Sequence, residues 1–129
     1  MDINLAYRTL RDPASRADAL FELLGAGSTR ESTISEPALL MEMLEQREAL
    51  EQARQAKDLT RLRSIGTLMA ERERRVTAAL ESAFAPLLGP AALAPEARAR
   101  QLDAARQLLA ELRYVRRFAE EIAAFEDES

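Results

Sequence analysis

The chain has 129 residues, of which 47% are hydrophobic and 31% charged, with a net charge of -4. That length suits one ordinary domain with a buried core, and the composition argues against disorder. The acidic balance lacks the footprint of a nucleic-acid-binding protein. The chain has no cysteine and no histidine, which removes disulfides, thiolate metal sites and the commonest zinc ligand and catalytic base. We therefore expect no cofactor, no metal and no nucleic-acid partner.

The amino-acid usage predicts an all-α protein that does not enter membranes. Ala, Leu, Glu and Arg dominate, and β-branched residues are scarce. No apolar run reaches the roughly 18 residues of a membrane span. Met1 is not followed by the basic and apolar regions of a secretory signal. The expected location is the cytoplasm.

Two short helices are predicted first in the chain. Apolar residues in segment 2–10 recur at the i, i+3, i+4 and i+7 spacing of one helix face. A second helix begins with Asp12 as its cap and Pro13 at its first position, and runs to about Leu24, where Gly25 ends it. The polar segment that follows, up to residue 36, is predicted to be a linker or exposed loop.

Three longer helices follow, at about Pro37 to Lys57, Asp58 to Ala85 and Glu96 to Phe125. Their apolar faces predict antiparallel packing with crossing angles of roughly 20°. Gly66 lies on the apolar face of the middle helix, where a close approach of a neighbouring helix would explain it. We therefore predict an all-α fold, a three-helix antiparallel bundle preceded by two short helices.

Two of these helices carry more apolar surface than one core face requires. On a wheel turning roughly 100° per residue, "LLMEMLEQREALEQ" (residues 39–52) has two apolar stripes. The first comprises Leu39, Met43 and Leu50, and the second comprises Leu40, Met41 and Leu44, with Glu48 beside them. In the last helix, Tyr114, Phe118 and Phe125 lie off the predicted core stripe.

The second stripe has two interpretations. It can pack beneath the N-terminal helices, or it can bind a partner, since Met and Leu flanked by carboxylates form an adaptable apolar patch with a polar rim. Tyr114 fits the partner site because aromatic residues are favoured interface anchors.

Catalytic chemistry finds little support in the sequence. None of the common phosphate-binding, nucleophile or metal motifs occurs. Glu42 and Glu45 are better explained as a solvated acidic face than as a metal site, and the arginines fall mainly on polar arcs. We therefore expect that the protein is not an enzyme.

The residues of the second stripe also carry a resemblance to a known family. The segment 39–52, with "QAK" at 55–57, resembles the hallmark segment of the HscB co-chaperones of iron–sulfur cluster assembly, approximately LMExLExREELE. "INLAYRTLRDPASRADALFELLG" (residues 3–25) resembles the end of that family's J-domain, and "LRYVRRF" (residues 112–118) resembles its last helix. The three matches occur in order and span nearly the whole chain.

The resemblance implies a fold division, partners and a binding site. Residues 1–25 would be the C-terminal remnant of a J-domain, 26–36 a linker, and 37–129 the three-helix HscB C-terminal domain for client binding or oligomerisation. HscB proteins bind the scaffold protein IscU and present it to HscA, a DnaK-type ATPase chaperone that the J-domain stimulates. The implied scaffold-contact residues are Leu40, Met41, Leu44, Glu45, Arg47, Glu48 and Tyr114.

One element of the family pattern has no counterpart. A J-domain acts through a His-Pro-Asp motif, and the chain has no histidine. As given, the chain is expected to bind the scaffold without stimulating the ATPase, and its two N-terminal helices to pack on the bundle or to pair between two copies. The alternative function is a stand-alone helical adaptor or self-association domain, a homodimer formed through the second stripe.

Overall fold

The computed structural model of the protein describes residues 12–25, 34 and 36–128. Helix α1 covers Pro13–Leu23, α2 Pro37–Gln55, α3 Leu59–Leu88 and α4 Pro95–Glu128. The predicted all-α fold is confirmed for these residues, and none of their helices is long and apolar enough to cross a membrane. The predicted helix at 2–10 and most of the predicted linker lie outside the described residues, so the proposed domain division stays a prediction.

Helix α1 starts as its sequence predicts. Asp12 is the N-cap residue with an extended backbone, and its carboxylate accepts hydrogen bonds from the Ser15 amide at 3.0 Å and the Ser15 hydroxyl at 2.9 Å. Burial tends to raise the pKa of Asp12, but these hydrogen bonds and the ion pair with Arg116 outweigh it and lower the pKa. Pro13 occupies the first helical position, where its missing amide hydrogen costs no hydrogen bond.

Helices α2, α3 and α4 form the bundle, and two hydrophobic clusters fix their directions. One cluster joins the end of α2 and the start of α3 to the end of α4, through Leu50, Ala53, Leu62, Ile65, Met69, Val115, Phe118 and Ile122. The other cluster joins the end of α3 to the start of α4, through Val76, Leu80, Ala83, Phe84, Leu102, Ala105, Leu109 and Leu112. Helix α3 is therefore antiparallel to both α2 and α4.

Helix α1 packs on the bundle and shares the second of these clusters. Its buried residues Ala17 and Phe21 belong to that cluster, and the Phe21 ring meets the Phe84 ring edge-on with 5.1 Å between centroids. Polar contacts to α4 reinforce the docking: Asp18 pairs with Arg113 at 2.6 Å. Of the two expected arrangements, the described helix therefore adopts the one in which it covers α3 and α4.

Helix α3 continues beyond the end that its sequence predicts. The predicted end is at about Ala85, directly before Pro86, but the helix includes Pro86 and runs on to Leu88. Proline removes the hydrogen bond to the carbonyl four residues earlier. Here that residue is Ser82, and both Ser82 and Pro86 are exposed, so water can satisfy the carbonyl.

Phe118 is the main correction to the predicted core. The sequence placed it off the core stripe of the last helix, with Tyr114 and Phe125, but its side chain is 0% exposed. The reason is that the C-terminal half of α4 contacts α2 as well as α3, which buries a wider arc than one neighbour would. Tyr114 and Phe125 are partly buried at the edge of the same cluster.

Gly66 faces α4 as expected, yet the approach does not require glycine. A Cβ atom at this position would lie 3.5 Å from Cγ2 of Ile122, an ordinary van der Waals contact. We expect Gly66→Ala to raise the free energy of unfolding by about 0.5–1 kcal/mol, because alanine loses less backbone entropy in a helix. Urea denaturation would measure it, and a destabilised variant would mean that the α3–α4 contact is tighter than these distances indicate.

Candidate partner-binding surface

Three large apolar side chains at the start of α2 face away from the bundle. Leu40 is 41% exposed, Met41 59% and Leu44 63%. They lie within slightly more than one helical turn, so they form one patch, which we call the α2 stripe. An exposed apolar patch of this kind on a helix is a candidate binding surface.

The core-facing residues of α2 explain why the α2 stripe stays outside. Met43, Leu50 and Ala53 are the buried residues of α2, and they lie on the opposite side of the helix from Leu44. The two predicted stripes therefore separate: the one with Met43 and Leu50 packs on the bundle, with Leu39 half-buried beside it. The other has no place in the core.

The described N-terminal helix does not cover the α2 stripe. Helix α1 packs on α3 and α4 through Ala17 and Phe21, in a cluster that contains no residue of α2. The stripe residues keep exposures of 41% to 63%. Within the described part of the chain, the interpretation in which the stripe packs beneath the N-terminal helices therefore has no support from α1.

Two glutamates border the α2 stripe. Glu45 and Glu48 are exposed, and neither forms an ion pair within the described residues. Leu44 lies directly before Glu45 and one turn before Glu48, so the carboxylates flank the apolar surface. Unpaired charges around an apolar patch favour a partner that carries complementary positive charge, and they contribute register and association rate more than affinity.

Arg47 joins the α2 stripe to the last helix. It lies one turn after Leu44, donates a hydrogen bond to Glu121 of α4, and sits with its guanidinium 5.3 Å from the centroid of the Phe118 ring. Its hydrogen bond to Glu121 raises its pKa, against the opposing effect of burial, and a hydrogen bond with Tyr114 adds to the rise. Arg47 is therefore tied to α4 by its contacts with Glu121 and Phe118.

Tyr114 lies on α4 beside this contact. Its ring centroid is 6.2 Å from that of Phe118, and it is partly buried at the edge of the core. Because Arg47 also lies against the Phe118 ring, Tyr114 is near the part of α2 one turn after Leu44. The structure thus brings the predicted residues of α2 and α4 to one side of the bundle, although their role in binding stays a prediction.

A second polar cluster, which the sequence pattern does not predict, lies beneath the start of α2. Arg72 of α3 donates to Glu42 of α2 and lies 3.6 Å from Glu111 of α4. The side chains of Arg72 and Glu111 are 15% and 14% exposed. Burial raises the pKa of Glu111, and the nearby Arg72 partly offsets that rise. The cluster links all three helices of the bundle.

A further surface feature of the described residues is a groove between α1 and α3. It has a volume of about 440 Å³ and is lined mainly by apolar residues that include Leu20 and Phe84. Its two charged residues, Arg16 and Glu81, pair with each other at 2.8 Å. No group of three carboxylates that could hold a metal ion occurs in the part of the chain that the structure describes.

Comparison with known proteins identifies the family. The family model described as "HSCB C-terminal oligomerisation domain" matches residues 35–123, which is more than half of the chain. The chain belongs to the HscB family. The matched region contains α2, α3 and most of α4, so every residue of the candidate surface lies within the HscB match.

Curated relatives of this HscB chain carry the name "Co-chaperone protein HscB homolog". One from Paraburkholderia phytofirmans is 43% identical over 72 residues, which cover 55% of this chain and 41% of the relative. One from an Azoarcus species is 37% identical over 83 residues, covering 64% of this chain and 47% of the relative. The matches thus cover less than half the length of these HscB relatives. No solved structure matches the chain.

Proposed function

We propose that the chain is the client-binding module of a co-chaperone in iron–sulfur cluster assembly. In this proposal it binds an IscU-type scaffold protein and presents it to an HscA-type chaperone of the DnaK class. Membership of the HscB family and the names of the relatives support the co-chaperone role. The module acts in the cytoplasm by binding alone, without catalysis, metal or cofactor of its own.

The observation that carries the proposal is the exposed α2 stripe with its charged border. Leu40, Met41 and Leu44 supply the apolar contact, and Met adapts its shape to a partner surface. Glu45 and Glu48 at the border select positive charge on the scaffold. Arg47 extends the surface towards Tyr114, since both lie against the Phe118 ring, and Tyr114 forms the far edge of the site.

ATPase stimulation is outside the role that we propose for these residues. The resemblance to HscB proteins assigns that activity to a His-Pro-Asp motif, and the 129 residues contain no histidine. Scaffold binding and ATPase stimulation would therefore be separable, and the first would be a property of the α2 stripe.

Self-association is the second candidate function. The description of the matching family includes oligomerisation, and an exposed apolar stripe can pair with its own copy in a symmetric dimer. If the stripe serves this purpose, the scaffold and a second copy of the chain would compete for the same side chains.

Titration calorimetry of the chain against its cognate IscU-type scaffold tests the proposal. We expect binding in the micromolar range with one scaffold per chain. Sedimentation of the chain alone, over the same concentrations, would separate the two candidates. A folded helical chain that does not bind the scaffold and sediments as a dimer would overturn the proposal in favour of self-association.

A further inference from the structure

The start of α2 is held to the bundle by few apolar contacts. Among residues 37–46, only Met43 is fully buried, and Leu39 is half-buried. The rest of α2 is anchored better, because Leu50 and Ala53 are both 0% exposed within the core. The turn that carries the α2 stripe is therefore the more weakly packed part of its helix, and polar contacts have a larger share in seating it.

Arg72 of α3 supplies such a polar contact to the side of α2 that faces the bundle. Its guanidinium donates to Glu42, which belongs to the same helical turn as Met41 and Leu44. The other side of the guanidinium approaches Glu111 of α4 at 3.6 Å. One side chain of α3 therefore connects the stripe-bearing turn of α2 to α4, the longest helix of the bundle.

The contact of Arg72 differs from an ordinary surface ion pair because the Arg72 side chain is largely buried. Exposed pairs contribute little because water screens them and long side chains lose entropy. Arg72 and Glu111 are only 15% and 14% exposed, so they are held in place before any partner arrives. Glu42 is 46% exposed, which places the pair at the boundary between the core and the surface.

The side of α2 on which Glu42 lies connects the Arg72–Glu42 bond to the α2 stripe. Leu40 and Leu44 are each two residues from Glu42 and so lie on the opposite side of α2, which means that the bond from Arg72 to Glu42 helps to hold the turn with these leucines outward. Releasing Glu42 would let the first turns of α2 rotate or fray. The apolar side chains would then spend less time in the arrangement that a partner meets.

We propose that Arg72 is a positioning residue for partner binding, which holds the α2 stripe in its binding arrangement through Glu42 and Glu111. This inference rests on the proposed function, in which the α2 stripe binds the scaffold. Arg72 itself does not touch the partner. It acts by keeping most molecules in the binding-competent arrangement, and apparent affinity falls in proportion to the competent fraction.

The test uses a double variant, Arg72→Met with Glu111→Gln. Removing Arg72 alone would leave Glu111 buried without its cation, which can unfold a protein for reasons unrelated to the stripe. The double change removes the guanidinium and the buried carboxylate together at similar volume. Arg74→Met is the matched control, since Arg74 is an exposed arginine of α3 with no ion pair among the described residues.

Two measurements are made on each variant. Scaffold affinity by calorimetry is expected to fall about tenfold in the double variant, if the competent fraction falls to about one tenth, and to stay unchanged in the control. Amide hydrogen exchange at residues 41–45 is expected to accelerate, with the core of α3 and α4 still protected. The single variant Arg72→Lys keeps a positive charge near Glu42. Its scaffold affinity is expected to lie between that of the unmodified chain and that of the double variant.

The outcomes separate this inference from the proposed function. If the unmodified chain binds the scaffold and the double variant binds equally well, Arg72 does not position the stripe. Faster exchange throughout the bundle would make Arg72 a general stability residue and would also overturn the inference. If the unmodified chain binds no scaffold, the proposed function fails, and unchanged exchange at residues 41–45 of the double variant would then overturn the inference independently.

Discussion

Leu44→Ala is expected to weaken scaffold binding by about 1–3 kcal/mol, roughly 5- to 150-fold in affinity, because truncating the most exposed leucine of the α2 stripe would leave a gap in a contact from which water is excluded. The same change should alter folding stability by less than about 0.5 kcal/mol, since exposed side chains contribute little to the core. Leu44 is 63% exposed and belongs to neither hydrophobic cluster. Calorimetry with the scaffold and thermal unfolding by circular dichroism measure the two effects.

A second leucine provides the matched control for Leu44. Leu68 is 39% exposed on α3, outside the α2 stripe and outside both core clusters. We expect Leu68→Ala to leave both affinity and stability unchanged. Equal loss of binding in the two variants would show that any exposed leucine matters, and unfolding of the Leu44 variant would make that residue part of the core.

Phe118→Ala is expected to have the largest effect on folding. The variant should lose about 3–5 kcal/mol of unfolding free energy, the usual range for truncating a buried phenylalanine. Phe118 is 0% exposed where α2, α3 and α4 meet, and it also supports Arg47 and Tyr114 at the candidate surface. Urea denaturation followed by circular dichroism would measure the loss.

Phe125→Ala is the comparison for Phe118. Phe125 is only partly buried and lies at the edge of the same cluster, with the Arg54 guanidinium 4.4 Å from its ring centroid. Its truncation should cost clearly less than that of Phe118. If the two variants lost equal stability, or if the Phe118 variant lost less than about 1.5 kcal/mol, the meeting point of the three helices would not be as the structure describes.

The helices were predictable because their signals are local. Asp12 followed by Pro13 predicts where α1 begins, and Pro37 predicts where α2 begins. The apolar period of the long helices gives their faces, since the buried residues of α3 repeat at helical spacing from Leu62 to Phe84. Separating Met43 and Leu50 from the α2 stripe needed only the helical wheel.

The features that the sequence did not predict depend on more than one helix. Phe118 is buried because two helices contact the end of α4, and a wheel drawn for one helix cannot include a second neighbour. The effect of Pro86 depended on the exposure of Ser82, and the space beside Gly66 depended on the position of Ile122. Each of these is a matter of tertiary packing.

The candidate surface likewise has one part that the sequence predicts and one part that depends on tertiary packing. The α2 stripe could be predicted because it is apolar and does not fit the core face. The cluster of Arg72, Glu42 and Glu111 could not, because these charges lie on what look like solvent-facing arcs until the rotation of three helices is known. The contact of Arg47 with Glu121 depends on the same relative rotation.

The most direct test of the α2 stripe uses the four methionines of the chain. Met41 is 59% exposed within the stripe, whereas Met43 and Met69 are 2% and 0% exposed in the bundle. With ¹³C-labelled methionine methyl groups, adding the IscU-type scaffold is expected to shift or broaden the Met41 signal and to leave that of Met69 unchanged. Scaffold binding that leaves the Met41 signal unchanged, or a scaffold that does not bind, would contradict the assignment of this surface.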